Sequence, residues 1–134
     1  MNLSNHYQTV MPYLLVQGAL SFVHFTREVF DAEVKLNMHK MHEDGKTVIH
    51  TEIQIGDSTL MIADATNDWP AQAANLFVYV KNADETFRKA IANGSRTLME
   101  LADREYGRTG GITDPFGNVW WITTAPPDAV GDFK

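Results

Sequence analysis

Apolar and polar positions along this chain change their spacing several times, and each change marks an element. From Tyr7 to Val16 the pattern reads as a strand, with Pro12 pointing to an edge or a bulge because proline has no N–H for a ladder. After Gly18 the period lengthens. Ala19, Phe22, Val23, Thr26, Val29 and Phe30 recur at three- and four-residue intervals, one face of an amphipathic helix. Strand-like runs follow at about 34–41, 47–55 and 58–63, and Asp44-Gly45 and Gly56-Asp57 supply hairpin turns between them. The same order then returns: a strand at 75–80, a helix at 83–93 closed by Gly94, and strands at 97–102, 108–113 and 118–123.

The return is quantitative. Val16 and Val80, Ala19 and Ala83, Val23 and Phe87, and Thr26 and Ala90 are each 64 residues apart. The runs Leu60-Met61-Ile62 and Val119-Trp120-Trp121 align at 59. Asp114-Pro115-Phe116-Gly117 is turn chemistry feeding an aromatic, β-branched strand, and Gly56-Asp57-Ser58-Thr59 echoes it. The pattern therefore predicts one α+β domain of two βαβββ modules, at about 7–64 and 75–124, with a linker at 65–74 and a loose tail at 125–134. One helix shields only one face of each module's sheet. Two modules side by side would give a curved mixed sheet with helices outside and a concave cup for a small ligand.

Side-chain alternation selects candidates for the cup. Ile49, Thr51, Ile53 and Ile55 belong to the helix face, which leaves His50, Glu52 and Gln54 for the cup or solvent. Met11, Tyr13 and Leu15 share a parity, as do Asn75, Phe77 and Tyr79, and Trp121 aligns with the latter set. Tyr13, Phe77, Tyr79 and Trp121 would form an aromatic wall. His50 and Glu52, two apart, have the residue types of an acid–base pair, and an exposed cross-strand pair is the competing reading. Tyr106 and Arg108 precede Gly110-Gly111, where an arginine could meet an anionic group; a solvated hairpin is the simpler reading. His39 and His42 fall on opposite strand faces and cannot share a metal, and His6 and His24 are assigned no role.

Composition narrows the function classes. The 134 residues are 44% apolar and 21% charged, ordinary for a globular domain. There is no cysteine, so thiol nucleophiles and zinc–thiolate sites are excluded. A net charge of −6 with scattered Lys and Arg argues against a nucleic-acid partner. No apolar run suits a membrane span or a signal peptide, and a cytoplasmic location is expected. Neither a Gly-x-Ser-x-Gly elbow nor a dinucleotide fingerprint occurs.

With Phe25-Thr26-Arg27-Glu28-Val29-Phe30-Asp31-Ala32 at the end of the first helix, Asp114-Pro115-Phe116-Gly117-Asn118 before the last strand, and the run from His50 to Asp64, the chain resembles the vicinal oxygen chelate superfamily. That superfamily includes glyoxalase I, bleomycin-resistance proteins and extradiol dioxygenases, and the PhnB-like subgroup is the most similar. The resemblance implies a homodimer and four metal-ligand positions, which carry over to Met11, Ile62, Asn75 and Trp121. Met, Ile and Trp do not ligate a hard divalent ion and Asn alone is weak, so no metal and no cofactor are expected. The expected function is metal-independent binding of a small apolar or aromatic molecule by Met11, Tyr13, His50, Glu52, Ile62, Asn75, Phe77, Tyr79, Tyr106, Arg108 and Trp121. The alternative is a metal-dependent lyase or dioxygenase-like enzyme using His50 and Glu52. A structural module with a filled cup is the third possibility.

Overall fold

The computed structural model describes Met1, Leu3 and residues 6–127. It divides into two compact units, Met1–Gln72 and Ala73–Lys134. The part of the expected tail beyond 127 lies outside the described residues.

The first unit runs β1 (Tyr13–Val16), α1 (Ala19–Phe30), β2 (Glu33–Val34), β3 (Lys40–Met41), β4 (Val48–Ile55) and β5 (Ser58–Asp64). Its sheet has the order β1-β5-β4-β2, with β3 also paired to β4; β1 lies parallel to β5 and the other ladders are antiparallel. The apolar stripe of α1 is buried against the sheet, with Phe22, Val23, Val29 and Phe30 joining Leu14, Val16, Ile53, Leu60 and Ile62 in one core. Asp64, at the end of β5, holds three elements together. Its Oδ1 accepts from the N–H groups of Gly18 and Ala19 at the start of α1, and its Oδ2 from Val48 N–H at the start of β4.

Two expectations for this unit need correction. The first strand is shorter than 7–16, because ladder pairing starts only at Tyr13, after Pro12. Residues 6–8 instead lie across β5: the Gln8 amide exchanges two hydrogen bonds with the Thr59 backbone, and the Thr59 hydroxyl donates to the His6 carbonyl. The strand expected at 34–41 is two strands of two residues, β2 and β3, separated by a single 3-10 turn at Leu36–Met38.

The second unit runs β6 (Asn75–Tyr79), α2 (Ala83–Ala92), β7 (Arg96–Arg104), β8 (Gly107–Thr113) and β9 (Val119–Thr124) in one sheet of order β6-β9-β8-β7. Here too the first and last strands are parallel. Asn82 caps α2 with its side chain on Glu85 N–H, and Thr124 Oγ1 accepts from Ala83 N–H. Gly94 ends the helix with φ 98°, while Ser95 N–H reaches back to the Ala90 carbonyl, a C-terminal cap that favours glycine. Phe87, Ala90, Ile112, Trp120 and Ile122 form the core.

Asp114 organises the turn before β9. Its Oδ1 accepts from Phe116 and Asn118 N–H and its Oδ2 from the Trp120 indole, fixing the largest buried side chain of the unit. Burial raises the Asp114 carboxyl above the ordinary carboxylate value, and those hydrogen bonds only partly offset it.

Ladder register corrects the alignment of the modules. Tyr13 pairs with Met61 and Phe77 with Trp121, so β1 and β6 are 64 residues apart but β5 and β9 are 60, not 59. Side chains alternate across a strand, and a one-residue slip therefore exchanges the two faces. Ile62, expected on the open face, is fully buried on the helix side; Met61 occupies the position equivalent to Trp121.

Candidate functional site

On the sheet face of the first unit opposite α1, ladder pairing sets Tyr13, Met61 and Glu52 in one row. Glu52 is completely buried. A buried carboxylate is costly unless its oxygens are partnered, and both are. Tyr7 OH donates to Oε1 at 2.7 Å, and His50 Nε2 is 2.7 Å from Oε2. The other His50 nitrogen, Nδ1, lies 3.2 Å from Tyr13 OH. Four side chains thus form one chain of hydrogen bonds, Tyr7–Glu52–His50–Tyr13. Hydrogen bonding to Glu52, then loss of hydration and the carboxylate charge, raise the Tyr7 hydroxyl above the usual phenol value.

Tyr7, the outer member of this chain on the Glu52 side, is met in turn by Lys35. Lys35 Nζ stands 4.7 Å from the Tyr7 ring centroid, a cation–π distance, and donates to Thr59 Oγ1 at 2.7 Å. His50 and Glu52 are therefore brought together as expected from their spacing, but in a buried pair and not on an open wall.

Beside this chain lies a groove of about 540 Å3, whose walls are Tyr13, Leu15, Ile49 and Trp69 and whose polar positions include His42 and Asp64. Tyr13 belongs to both groove and hydrogen-bond chain. Ile49 was expected in the core, yet it is 52% exposed while Val48 is buried. The cause is a bulge: Lys40 pairs with His50 and Met41 with Val48, leaving Ile49 as the extra residue of β4. A bulge re-aims the side chain at the inserted position. Ile49 and Trp69 were missed from the sequence, whereas Leu15 shares the face of Tyr13 as its parity implies. The available signal was a large aromatic among the turn formers Asn67-Asp68-Trp69-Pro70, and the structure leaves Trp69 68% exposed.

The second unit has a different face. Phe77 and Tyr79 are half-exposed and meet edge-to-face with ring centroids 5.2 Å apart, and Tyr106 lies 6.5 Å from Phe77. Trp121 packs over Gly111, where a Cβ would stand 2.8 Å from its ring, and its indole donates to Asn75 Oδ1 at 3.1 Å. Arg108, expected to be offered to an anion, is instead occupied. It makes a two-pronged ion pair with Asp84 and a third contact to Asp103, which hold its guanidinium above its usual value and the Asp84 carboxyl below its own.

Two of the four implied ligand positions fall in each unit: Met11 and, by the corrected register, Met61 in the first; Asn75 and Trp121 in the second. Two thioethers, an indole and an amide oxygen already accepting the indole N–H do not fit a hard divalent ion. Among the described residues no group of three or more His, Asp or Glu stands close enough to hold a metal.

A family profile described as the Glyoxalase/Bleomycin resistance protein/Dioxygenase superfamily matches residues 5–122. A search of curated protein sequences finds no match. Solved structures include the PhnB protein from Bacillus cereus, 21% identical with a TM-score of 0.68 over 88% of this chain and 100% of that one. TnmS3, an antibiotic binding protein from Streptomyces sp. CB03234, is 15% identical with a TM-score of 0.67 over 94% of this chain and 99% of that one. The fosfomycin resistance protein FosX from Mesorhizobium loti is 15% identical with a TM-score of 0.63 over 90% and 93%. At such identities the likeness is one of fold. No helix among the described residues is long and apolar enough to cross a membrane.

Proposed function

Because the chain belongs to the Glyoxalase/Bleomycin resistance protein/Dioxygenase superfamily, we propose that it binds a small, largely apolar or aromatic molecule, without a bound metal, in the groove of its first module. The carrying observation is the groove itself. About 540 Å3 lies within the range of small-molecule sites, and Tyr13, Leu15, Ile49 and Trp69 give it apolar walls with few polar groups. The fold is shared with TnmS3, whose description is that of an antibiotic binding protein, and the same scaffold in this chain presents a comparable use. A cytoplasmic homodimer without nucleic-acid or membrane partners completes the proposal; light scattering of the purified protein tests the dimer.

The test is a binding titration with aromatic compounds in the presence of a chelator. Trp69 fluorescence should be quenched saturably, and the response should be lost in Trp69→Phe. A ligand at a hundred times its Kd adds about 2.7 kcal/mol, which for a chain of this length raises Tm by roughly 10 °C. Absence of any response, or a response only with added metal, overturns the proposal. The competing metal-dependent reading with His50 and Glu52 as ligands has less support, since both Glu52 oxygens are taken and the side chain is buried.

A further inference from the structure

The hydrogen-bond chain has a direction that simple binding does not need. From Tyr13 inward to Glu52 exposure falls: Tyr13 is 52% exposed, the His50 side chain 21% and the Glu52 side chain 1%. Glu52 is the buried link, and with Tyr7 OH on one carboxylate oxygen the other takes the Nε2–H of His50. That tautomer leaves the Nδ1 lone pair facing Tyr13, whose hydroxyl hydrogen is then directed at His50. The Tyr13 oxygen keeps its lone pairs for the groove and is an acceptor there.

We propose that Tyr13 is the acid–base group of the groove, taking a proton from an acidic O–H, phenolic or enolic, of a bound organic ligand. The proposal rests on the groove reading above and names its ligand class. In the step, the ligand O–H bond breaks as a new Tyr13 O–H bond forms. The original Tyr13 proton passes to His50 Nδ1, and the Glu52 carboxylate holds the resulting imidazolium. One proton moves from ligand to His50, no electrons change hands, and the ligand is left as its anion beside a newly formed cation. Tyr13 is the catalytic residue; His50 and Glu52 position it and accept the charge. Tyr7 faces Glu52, Lys35 stands over the Tyr7 ring, Lys40 pairs with His50 across the ladder, and His42 and Asp64 line the groove. The nearest fixed negative charge in the groove, Asp64, is already turned to three backbone N–H groups.

The test uses 4-nitrophenol and its methyl ether, 4-nitroanisole, with the full chain. The two share a ring and differ in the transferable proton, and the visible band of nitrophenol reports its ionisation. The expected result is at least tenfold tighter binding of nitrophenol, with its bound ionisation midpoint lowered by about one pH unit, a tenfold shift. In Tyr13→Phe the midpoint returns to the free value and the preference between probes disappears. Glu52→Gln does the same by removing the charge that holds the imidazolium. Tyr13 is surface-exposed, so its variant keeps the test open should Glu52→Gln fail to fold. Equal binding of both probes with no change in ionisation overturns proton transfer and leaves the groove standing. Binding of neither overturns both.

Discussion

Asp64 offers the sharpest check on how the first module is held together. Its two oxygens accept three backbone N–H groups, from Gly18 at 3.2 Å, Ala19 at 2.7 Å and Val48 at 2.7 Å. The first two are orphan donors of the α1 N-terminus, for which α1 has no side-chain cap of its own. Asp64→Ala removes a cap worth about 1 kcal/mol. It also strands the part-buried Val48 N–H, a further penalty of roughly 1–3 kcal/mol. The expected loss is therefore roughly 2–4 kcal/mol. Asp64→Asn separates the contributions. Its Oδ1 still serves α1, but an amide N–H would face Val48 N–H, so about half the loss should remain. Thr124→Ala, in the second module, should cost only about 1 kcal/mol, because Asn82 continues to cap α2. Urea unfolding followed by circular dichroism measures the totals, and hydrogen exchange at Ala19 and Val48 assigns them. A change within about 0.5 kcal/mol for Asp64→Ala, or equal losses for Ala and Asn, would refute this account of the junction.

Gly111→Ala should destabilise the second module by roughly 1–3 kcal/mol and shift Trp121 emission, since a Cβ there would meet the indole ring at 2.8 Å; unchanged emission with unchanged stability would remove the proposed packing. Val48→Ala should cost roughly 2–3 kcal/mol and Ile49→Ser almost nothing, the reverse of simple strand alternation, as thermal unfolding can show. Asp44 and Asp114 should titrate on opposite sides of the ordinary aspartate value. Asp44, accepting from Lys46 and Thr47, is lowered to about 2, so its stabilising contribution is full above 3.8 and is lost as pH falls toward 2. Asp114 is raised, so its ionisation opposes folding, and its contribution is greatest below 3.8 and declines as pH rises through its folded value. Carboxyl carbon NMR titration checks both directions.

The order of elements was legible because each helix carries a three-to-four-residue apolar period and each hairpin its own turn residues. The faces were less so. Leu60-Met61-Ile62 and Val119-Trp120-Trp121 are apolar at every position, so alternation contains no sign of which side is buried, and aligning them one residue out placed Ile62 where Met61 stands. Ile49 was misplaced for another reason, a bulge that has no glycine or proline to announce it. The pairing of His50 with Glu52 followed from spacing alone. That Tyr7 would fold back to bury Glu52 did not, because a contact 45 residues apart in sequence leaves no local pattern.

The corrected register shows which positions of the two modules are equivalent. Tyr13 corresponds to Phe77, Met61 to Trp121 and Glu52 to Gly111, with His50 answering to Thr109 one row further on. In the second module the large Trp121 ring lies over Gly111, and Thr109 is satisfied by a buried hydroxyl pair with Thr123. The same βαβββ scaffold therefore fills the equivalent positions with neither a carboxylate nor an imidazole. Removing a carboxylate from water costs several kcal/mol before partners offset it, and well-packed apolar side chains often do as well or better. Glu52 is thus a charge that the scaffold does without in its other copy. Its partners do not spread the charge evenly: one route ends at Tyr7, and the other, through His50, ends at Tyr13, which lines the groove. A group kept only for packing has no need of a hydrogen-bonded path to the surface, and this one opens where a ligand would lie.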